Sequence, residues 1–461
     1  MDGKDGRVAI IGASMAGLLA ARVLAEIASE VLIIERDIPP EQPESRKGVP
    51  QGRHAHALLR AGALIIEELF PGLMQDLVAR GAQRLFWLAS GLWWQFDGYR
   101  VRHGDDFELT TFTRPFLEDA IRKRVTALPN VRIQSGISAR GILERDGQVK
   151  GVVIGSEGNG KQSPLDADLV VDASGRGSQA GVWLEALGHM PPPVDEVRID
   201  MGYASRLLRR EPGQLPDRTY VATLGTPPQC KRSAYLLPVE GDRWLVTLCG
   251  FFGDHASTDD AGFLSFAENL PTDDIASVLR RAEPLTPIVT HRLQSNQWRR
   301  FEKIKKPPAS FVTIGDGICS FNPIYGQGMS SAAQQAIALR RAVEKNSFAS
   351  PDLPRSFYQA ATKIVANPWQ IAAGGDFCYP EATGPRPPLI DALNFYLRKA
   401  IVAAQNDPVV ATSIANVQNL LAPPPSLLRP QIALRVWKGA RRYPSSSAVL
   451  SHSLKIRCSG Q

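Results

Sequence analysis

Residues 7–12 and 30–36 are short runs of β-branched and aliphatic residues, and between them residues 16–28 repeat apolar positions at helical spacing (Leu18, Leu19, Ala21, Val23, Leu24, Ile27). The pattern predicts a strand, a tight turn, a helix and a second strand ending at Glu35 and Arg36. A Pro-, Arg- and His-rich stretch over 38–56 predicts a loop, followed by a helix near 57–69. "RPFLEDAIRKRVTAL" from Arg114 predicts another helix, and "VRIQSG" a strand. "ILERDGQVKGVVIG" predicts a hairpin turning at Asp146-Gly147. "DLVVDASGRGS" (168–178) and "SFVTIGDG" (310–317) both read as buried strands running into Gly-rich turns. "GMSSAAQQAIALRRAVE" after the second of these reads as a helix.

Residues 196–300 change character. "RIDMGYASRLLRR", "SAYLLPVE" and "DRWLVTLCGFF" alternate as antiparallel strands, the last two joined at Gly241-Asp242. From about 350 onward the pattern is helical with proline breaks, "APPPSLLRP" among them. No internal repeat is present. The fold class expected is α/β, with an inserted antiparallel sheet and a helical C-terminal region.

Composition narrows the function. The 53 basic and 46 acidic residues leave a dispersed net charge of +7, which points away from nucleic acid and suits an anionic small molecule. The basic string "RVWKGARRYP" reads as a solvated helix face, with a weak contact with a membrane surface as the alternative. Cys230, Cys249, Cys319, Cys378 and Cys458 are scattered without a CxxC pair, so neither a disulfide framework nor a zinc site is expected, and a cytoplasmic protein is. The first apolar run is a strand and not a signal segment, and no run of 18 apolar residues occurs.

Gly12, Ser14 and Gly17, with Met15 and Ala16 between the last two, take the positions of a dinucleotide-binding turn. The first glycine makes the turn, the middle residue lets a pyrophosphate approach the backbone, and the third allows close helix–strand packing. The helix N-terminus then supplies free N–H groups to the anion, and Glu35 falls where a carboxylate accepts from ribose hydroxyls. Arg46 and Arg53, in the loop, are candidates for the phosphates. His54 and His56 lack a third ligand nearby, so no metal is expected.

That turn alone does not separate a nicotinamide from a flavin. Two later segments do: Asp172 and Gly175 at one strand end, and Gly315-Asp316 followed by Asn322-Pro323 and a Gly326/Gly328 turn that opens a helix at Met329. A second carboxylate site suits FAD, whose ribityl chain is held far from its adenosine.

In this order, the motifs resemble the flavoprotein monooxygenases of the para-hydroxybenzoate hydroxylase type over residues 6 to 345. "RKGVPQGRHAHALL", "DASGRGS" and "NPIYGQGMS" are most similar to the polyether-type (lasalocid-like) epoxidases, and more distantly to squalene-type epoxidases. The resemblance implies that Gly12, Ser14, Gly17 and Glu35 hold the ADP half, Arg114 is directed at the cofactor, and Asp316 bonds the ribityl hydroxyls. It places the Pro323–Met329 loop against the isoalloxazine, with Asn322, Pro323 and Gly326 beside flavin C4a. It further implies an FAD-binding domain in three pieces (1–82, 110–190 and 304–346), a substrate domain from 83–109 and 191–303, and a helical region over 347–461.

The activity implied is monooxygenation by O2 through a flavin C4a-hydroperoxide, epoxidising or hydroxylating a large apolar polyene, terpenoid or polyketide. Electrons come from NADH or NADPH, directly or through a reductase. The "DASGRGS" segment differs from the motif associated with nicotinamide use and leaves the donor open. Tyr203, Trp244 and Val246, with Arg206, alternate along the expected strands as plain sheet core or as candidates for the substrate wall, and Trp93-Trp94 as a cavity wall or a domain seam. A flavin-dependent halogenase should carry a Trp-x-Trp-x-Ile-Pro string that is absent here, and Lys47 is in the wrong context for its lysine. A geranylgeranyl-reductase-like alkene reductase and a non-enzymatic flavin-binding protein stay open as alternatives.

Overall fold

The computed structural model describes residues 6–104, 107–156 and 161–440. The end of the C-terminal region and of the basic string, with Cys458, lies outside the described residues. Five parallel strands form one sheet, in the spatial order Phe311–Thr313, Leu169–Asp172, Arg7–Ile11, Glu30–Glu35 and Val131–Ser135. Val8, Ala9, Ile10, Leu169, Val170 and Val171 expose no surface. Strands covered on both faces read as continuous apolar runs for this reason. Helices Met15–Leu24 and Gly328–Lys345 pack against each other, and the antiparallel sheet of Ile137–Arg145, Gln148–Ser156 and Gln162–Asp166 packs on Leu169–Asp172 to complete three layers. Asp146 and Gly147 turn its first hairpin with both φ angles positive, 54° and 74°, as a two-residue turn of this hand requires.

The second large sheet has seven strands, in the order Cys319–Ser320, Val289–Arg299, Val194–Arg209, Arg243–Phe251, Arg232–Val239, Tyr220–Thr223 and Gly91–Trp94. Every pairing is antiparallel except the last, where Gly91–Trp94 runs parallel to Tyr220–Thr223. Both faces are covered. On one, Phe263, Phe266, Ile275 and Val278 bury themselves against Trp244, Val246 and Leu248. They belong to helices Asp260–Glu268 and Asp274–Leu279, which the sequence pattern does not announce: at 9 and 6 residues they are too short to display a period. The other face lies under the C-terminal helices Asp352–Asp376, Ile390–Ala403 and Pro408–Gln418. Among the described residues, no helix is long and apolar enough to cross a membrane.

Candidate functional site: a three-turn cradle beside an apolar cavity

Three glycine turns at the ends of neighbouring parallel strands meet. Gly12 has φ +101°, and a Cβ there would stand 2.7 Å from the Ala173 carbonyl oxygen. A Cβ on Gly17 would sit 1.8 Å from the Gly12 carbonyl oxygen, so the helix can start this close to the strand only with glycine. Gly315, with φ +70°, leaves 2.7 Å between its missing Cβ and that of Ala16, which brings the third turn onto the first. Gly175 (φ +80°) has no atom within 4 Å of its missing Cβ and borders open space.

The polar groups around these turns fall into two sets. In the first, protein partners already satisfy one another. Glu35 is buried; its Oε2 accepts from the Ala13 N–H at 2.7 Å and pairs with Arg46 at 2.8 Å, and its Oε1 accepts from the Asp37 N–H. Arg46 also reaches Glu118 at 2.9 Å and Asp37 at 3.4 Å. Burial disfavours the Arg46 charge, but Glu118 and Glu35 outweigh it and hold its pKa above the ordinary value. Ser14 caps the first helix without a side-chain capping bond; its hydroxyl donates to Glu118 and accepts from Arg114, each at 2.9 Å. Asp172, fully buried, accepts from the Ser174 and Ser178 hydroxyls and the Ser174 N–H, so it braces its own turn. Arg36 and Arg53 are exposed; Arg36 donates to the Gly48 carbonyl. Met15 and Met329 are buried in their helices.

The second set is open. Asp316 has no side-chain hydrogen bond among the described residues. Burial raises its carboxyl pKa, while Arg114, Arg176 and Arg299 pull it down. The nearest atom to a Cβ on Gly328, at the start of helix Gly328–Lys345, would be Asp316 Oδ1, at 3.8 Å. Arg114 bonds Ser14 and His56, and its buried Nε, 3.7 Å from Glu118 Oε2, makes no hydrogen bond. Gln327 is 1 % exposed and neither end of its amide is bonded.

An arginine-ringed carboxylate, an unbonded guanidinium nitrogen, an unbonded amide and a helix N-terminus, all beside glycine turns, suit a long ligand carrying hydroxyls, an anion and a heterocycle with both donors and acceptors. FAD is such a ligand, and these residues fit it. His56 is neutral: burial and Arg114 push its pKa down to about 3, and its Nδ1 lies 2.9 Å from the His54 carbonyl, which can only accept. The proton is therefore on Nδ1, and Nε2 accepts from Arg114. His54, pushed down to about 4 mainly by burial, bonds Ser205 at 2.8 Å.

Next to the cradle lies a cavity of about 230 Å³. Pro323, Ile324, Tyr325, Gly326 and Gln327 line it on one side with His56 and Ala57. Trp93, Tyr220, Leu224, Tyr235 and Leu237 form the sheet-side floor, and Ile371, Leu397, Ile401, Ile414 and Leu427 roof it from the C-terminal helices. Asn322, fully buried, fixes the loop: its Oδ1 accepts from the Ile324 N–H, and its Nδ2 donates to Asp376 at 2.9 Å. Gly326 completes the turn at φ +65°, and the Tyr235 hydroxyl donates to the Ile324 carbonyl at 2.6 Å.

The floor corrects part of the sequence reading. Successive strand residues face opposite ways. Leu245 and Thr247 pair with Leu237 and Tyr235 on the cavity face, so Trp244 and Val246 turn to the other face, into the core under Phe263 and Phe266. Trp244 Nε1 bonds Gln214 there at 2.7 Å, and Arg206 pairs outward with Asp260. Tyr203 is buried against Phe377 and Tyr379 and does not line the cavity. Trp93 does. The helical roof, Gln327 and Asp376 carry no local sequence signal and were not foreseen.

Residues 5–347 match the family described as FAD binding domain. A Mycobacterium tuberculosis (strain ATCC 25618 / H37Rv) protein, Protein Rv3254, is 35% identical over 413 residues, covering 87% of each chain. Among solved structures, the flavin-dependent brominase Bmp2 superposes with a TM-score of 0.66 at 15% identity, over 95% of this chain and 98% of that one. The p-nitrophenol 4-monooxygenase PnpA from Pseudomonas putida DLL-E4 does so with a TM-score of 0.64 at 16% identity, over 91% and 99%. At such identities these two share the fold.

Proposed function

Given that the chain belongs to the FAD-binding-domain family, we propose that it is a flavin-dependent monooxygenase that inserts one atom of O2 into an apolar substrate, by epoxidation or hydroxylation. One observation carries the reading: a mostly apolar cavity shares the Pro323–Gln327 loop with the cofactor cradle. Bound FAD supplies two electrons and activates O2, while the protein supplies place, orientation and exclusion of water. The electrons come from NADH or NADPH, directly or through a reductase, and the second oxygen atom leaves as water.

Asp316 would accept from cofactor hydroxyls; burial raises its pKa, and Arg114, Arg176 and Arg299 partly offset that rise. The N-terminus of helix Gly328–Lys345 favours negative charge on a group placed before it. Asn322, tied to Asp376 and Asn296, keeps the loop at one distance from the cavity. The apolar roof and floor keep water from the reacting atoms. Similarity of the "NPIYGQGMS" loop to that of polyether-type epoxidases favours an alkene as the group attacked. No lysine lines the cavity, which favours oxygen transfer over halogenation.

The test is to supply the FAD-loaded protein with each nicotinamide donor, ¹⁸O2 and a set of apolar alkenes and phenols, and to weigh the products. One labelled atom per product is expected. Label found only in hydrogen peroxide would make the protein an oxidase, and a reduced alkene would make it a reductase.

A further inference from the structure

Arg100 is 5 % exposed, with no carboxylate within ion-pair distance among the described residues. Its guanidinium has one hydrogen bond, from Nη1 to Gln418 Oε1 at 2.8 Å, and stacks on the Trp93 ring 4.5 Å from its centroid. Nε and Nη2 are buried without partners. A guanidinium does not shed its proton in a protein, and a buried charge left unpaired is strongly unfavourable. Two buried donors of this guanidinium are therefore open to an acceptor.

Its place in the sheet says from which side an acceptor can come. Trp94 bridges Tyr99, and the Arg100 N–H bonds the Trp93 carbonyl, so Arg100 and Trp93 stand opposite each other on one face. Trp93 is in register with Ala222, and Ala222 with Tyr235. Trp93, Tyr235 and Gln418 all line the cavity, so Arg100 rises from the same face as the cavity floor. Its two neighbours are wall residues. Its two free nitrogens are Nε and Nη2, the pair on one edge of the guanidinium whose N–H bonds run parallel and match the two oxygens of a carboxylate. Tyr235, bonded to the loop at Ile324, stands three strand spacings away, about 14 Å between backbones.

We propose that the substrate is an apolar carboxylic acid whose carboxylate is held by Arg100, which stands behind the cavity wall at Trp93 and Gln418. This rests on the cavity being the substrate site of the proposed monooxygenase. The buried Nε1 of the Trp93 ring stacked on Arg100, also without a hydrogen bond, is a further donor for the carboxylate.

Calorimetric binding of 6-phenylhexanoate and of its neutral amide to the FAD-loaded protein at pH 7.5 tests this without turnover. The acid should bind at least tenfold more tightly. Arg100→Gln should bring the two ligands to equal affinity without weakening the amide, and Arg100→Lys should restore only part of the preference, since a point charge lacks the fork. Equal affinities in the wild type, no binding of either ligand, or an acid preference that survives in Arg100→Gln would each overturn the proposal. The wild-type ratio decides the matter even where the glutamine variant fails to hold FAD. An acid preference without labelled product would remove the monooxygenase reading and leave Arg100 as an acid-binding residue. Labelled product from neutral substrates without acid preference would do the reverse.

Discussion

Asp172 ends one parallel strand and Asp316 lies in the Gly-rich turn after its neighbour; the two look alike in the sequence, yet their surroundings give them opposite tasks. Asp172 spends its oxygens on Ser174 and Ser178, whereas Asp316 keeps both free beside three arginines. Asp316→Ala should therefore weaken FAD binding at least tenfold, since bonds to a charged acceptor contribute about 1.5–3 kcal/mol each and about 1.4 kcal/mol is a factor of ten. The fold should melt near the wild-type temperature. A fluorescence titration of apoprotein with FAD reads this directly, and an unchanged dissociation constant would remove Asp316 from the cradle. Asp172→Ala should instead lower the melting temperature of the apoprotein. What was legible here were residues whose task is local: Gly12, Gly17 and Gly315 are required by backbone geometry within their own turns. Arg100, Gln327 and Asp376 were not legible. Arg100 meets Gln418 from 318 residues away and Asn322 meets Asp376 from 54 away, distances at which no spacing rule operates.

A strand announces its alternation, but not which set of residues faces the ligand when both faces are buried. Arg243–Phe251 reads apolar throughout because helices cover both its sides. Choosing Trp244 and Val246 for the cavity was a one-residue error of parity that only tertiary packing resolves. The corrected placement has a measurable outcome. Trp244→Ala removes a fully buried ring and one of the two hydrogen bonds to Gln214 Oε1, and should cost about 3–5 kcal/mol in urea unfolding. Affinity for a cavity ligand should stay within twofold of wild type. A large loss of ligand affinity with little loss of stability would return Trp244 to the substrate wall.

Across the whole molecule, the α/β class, the inserted sheet and the helical C-terminal part were all readable from periodicity. The way the C-terminal helices close over the sheet was not, because it depends on contacts among three chain regions. In the folded chain His54, packed on Ser205, Tyr203 and His291, and His56, beside Arg114, are neutral imidazoles. In the unfolded chain both take up protons below about pH 6.5, while in the folded protein His54 waits until about 4 and His56 until about 3. Between those limits the unfolded state binds more protons, so these two residues contribute stability that is complete above pH 6.5 and declines as the solution is acidified. Asp376, raised to about 7 by burial, works in the opposite sense, which makes the wild-type curve alone ambiguous. The difference between wild type and His54→Gln isolates the histidine. Measured by thermal melting of the holoprotein, the advantage of His54 over glutamine should shrink from pH 7 to pH 4.5. An advantage that stays constant over that range would mean that the ring is not buried neutral.

The parallel sheet has a consequence for how the chain is made. Its strands arrive in the order 7–11, 30–35, 131–135 and 169–172, and then, only after Val194–Arg299 has been completed, 311–313. Glu35 leaves the ribosome 281 residues before Asp316, which at about 5–20 residues per second is roughly 15 to 55 seconds of translation. Throughout that interval the nascent chain holds the first glycine turn and Glu35 without Asp316. The three turns can therefore meet only in a chain that has already threaded most of the second sheet between them, and the helices that roof the cavity are made later still.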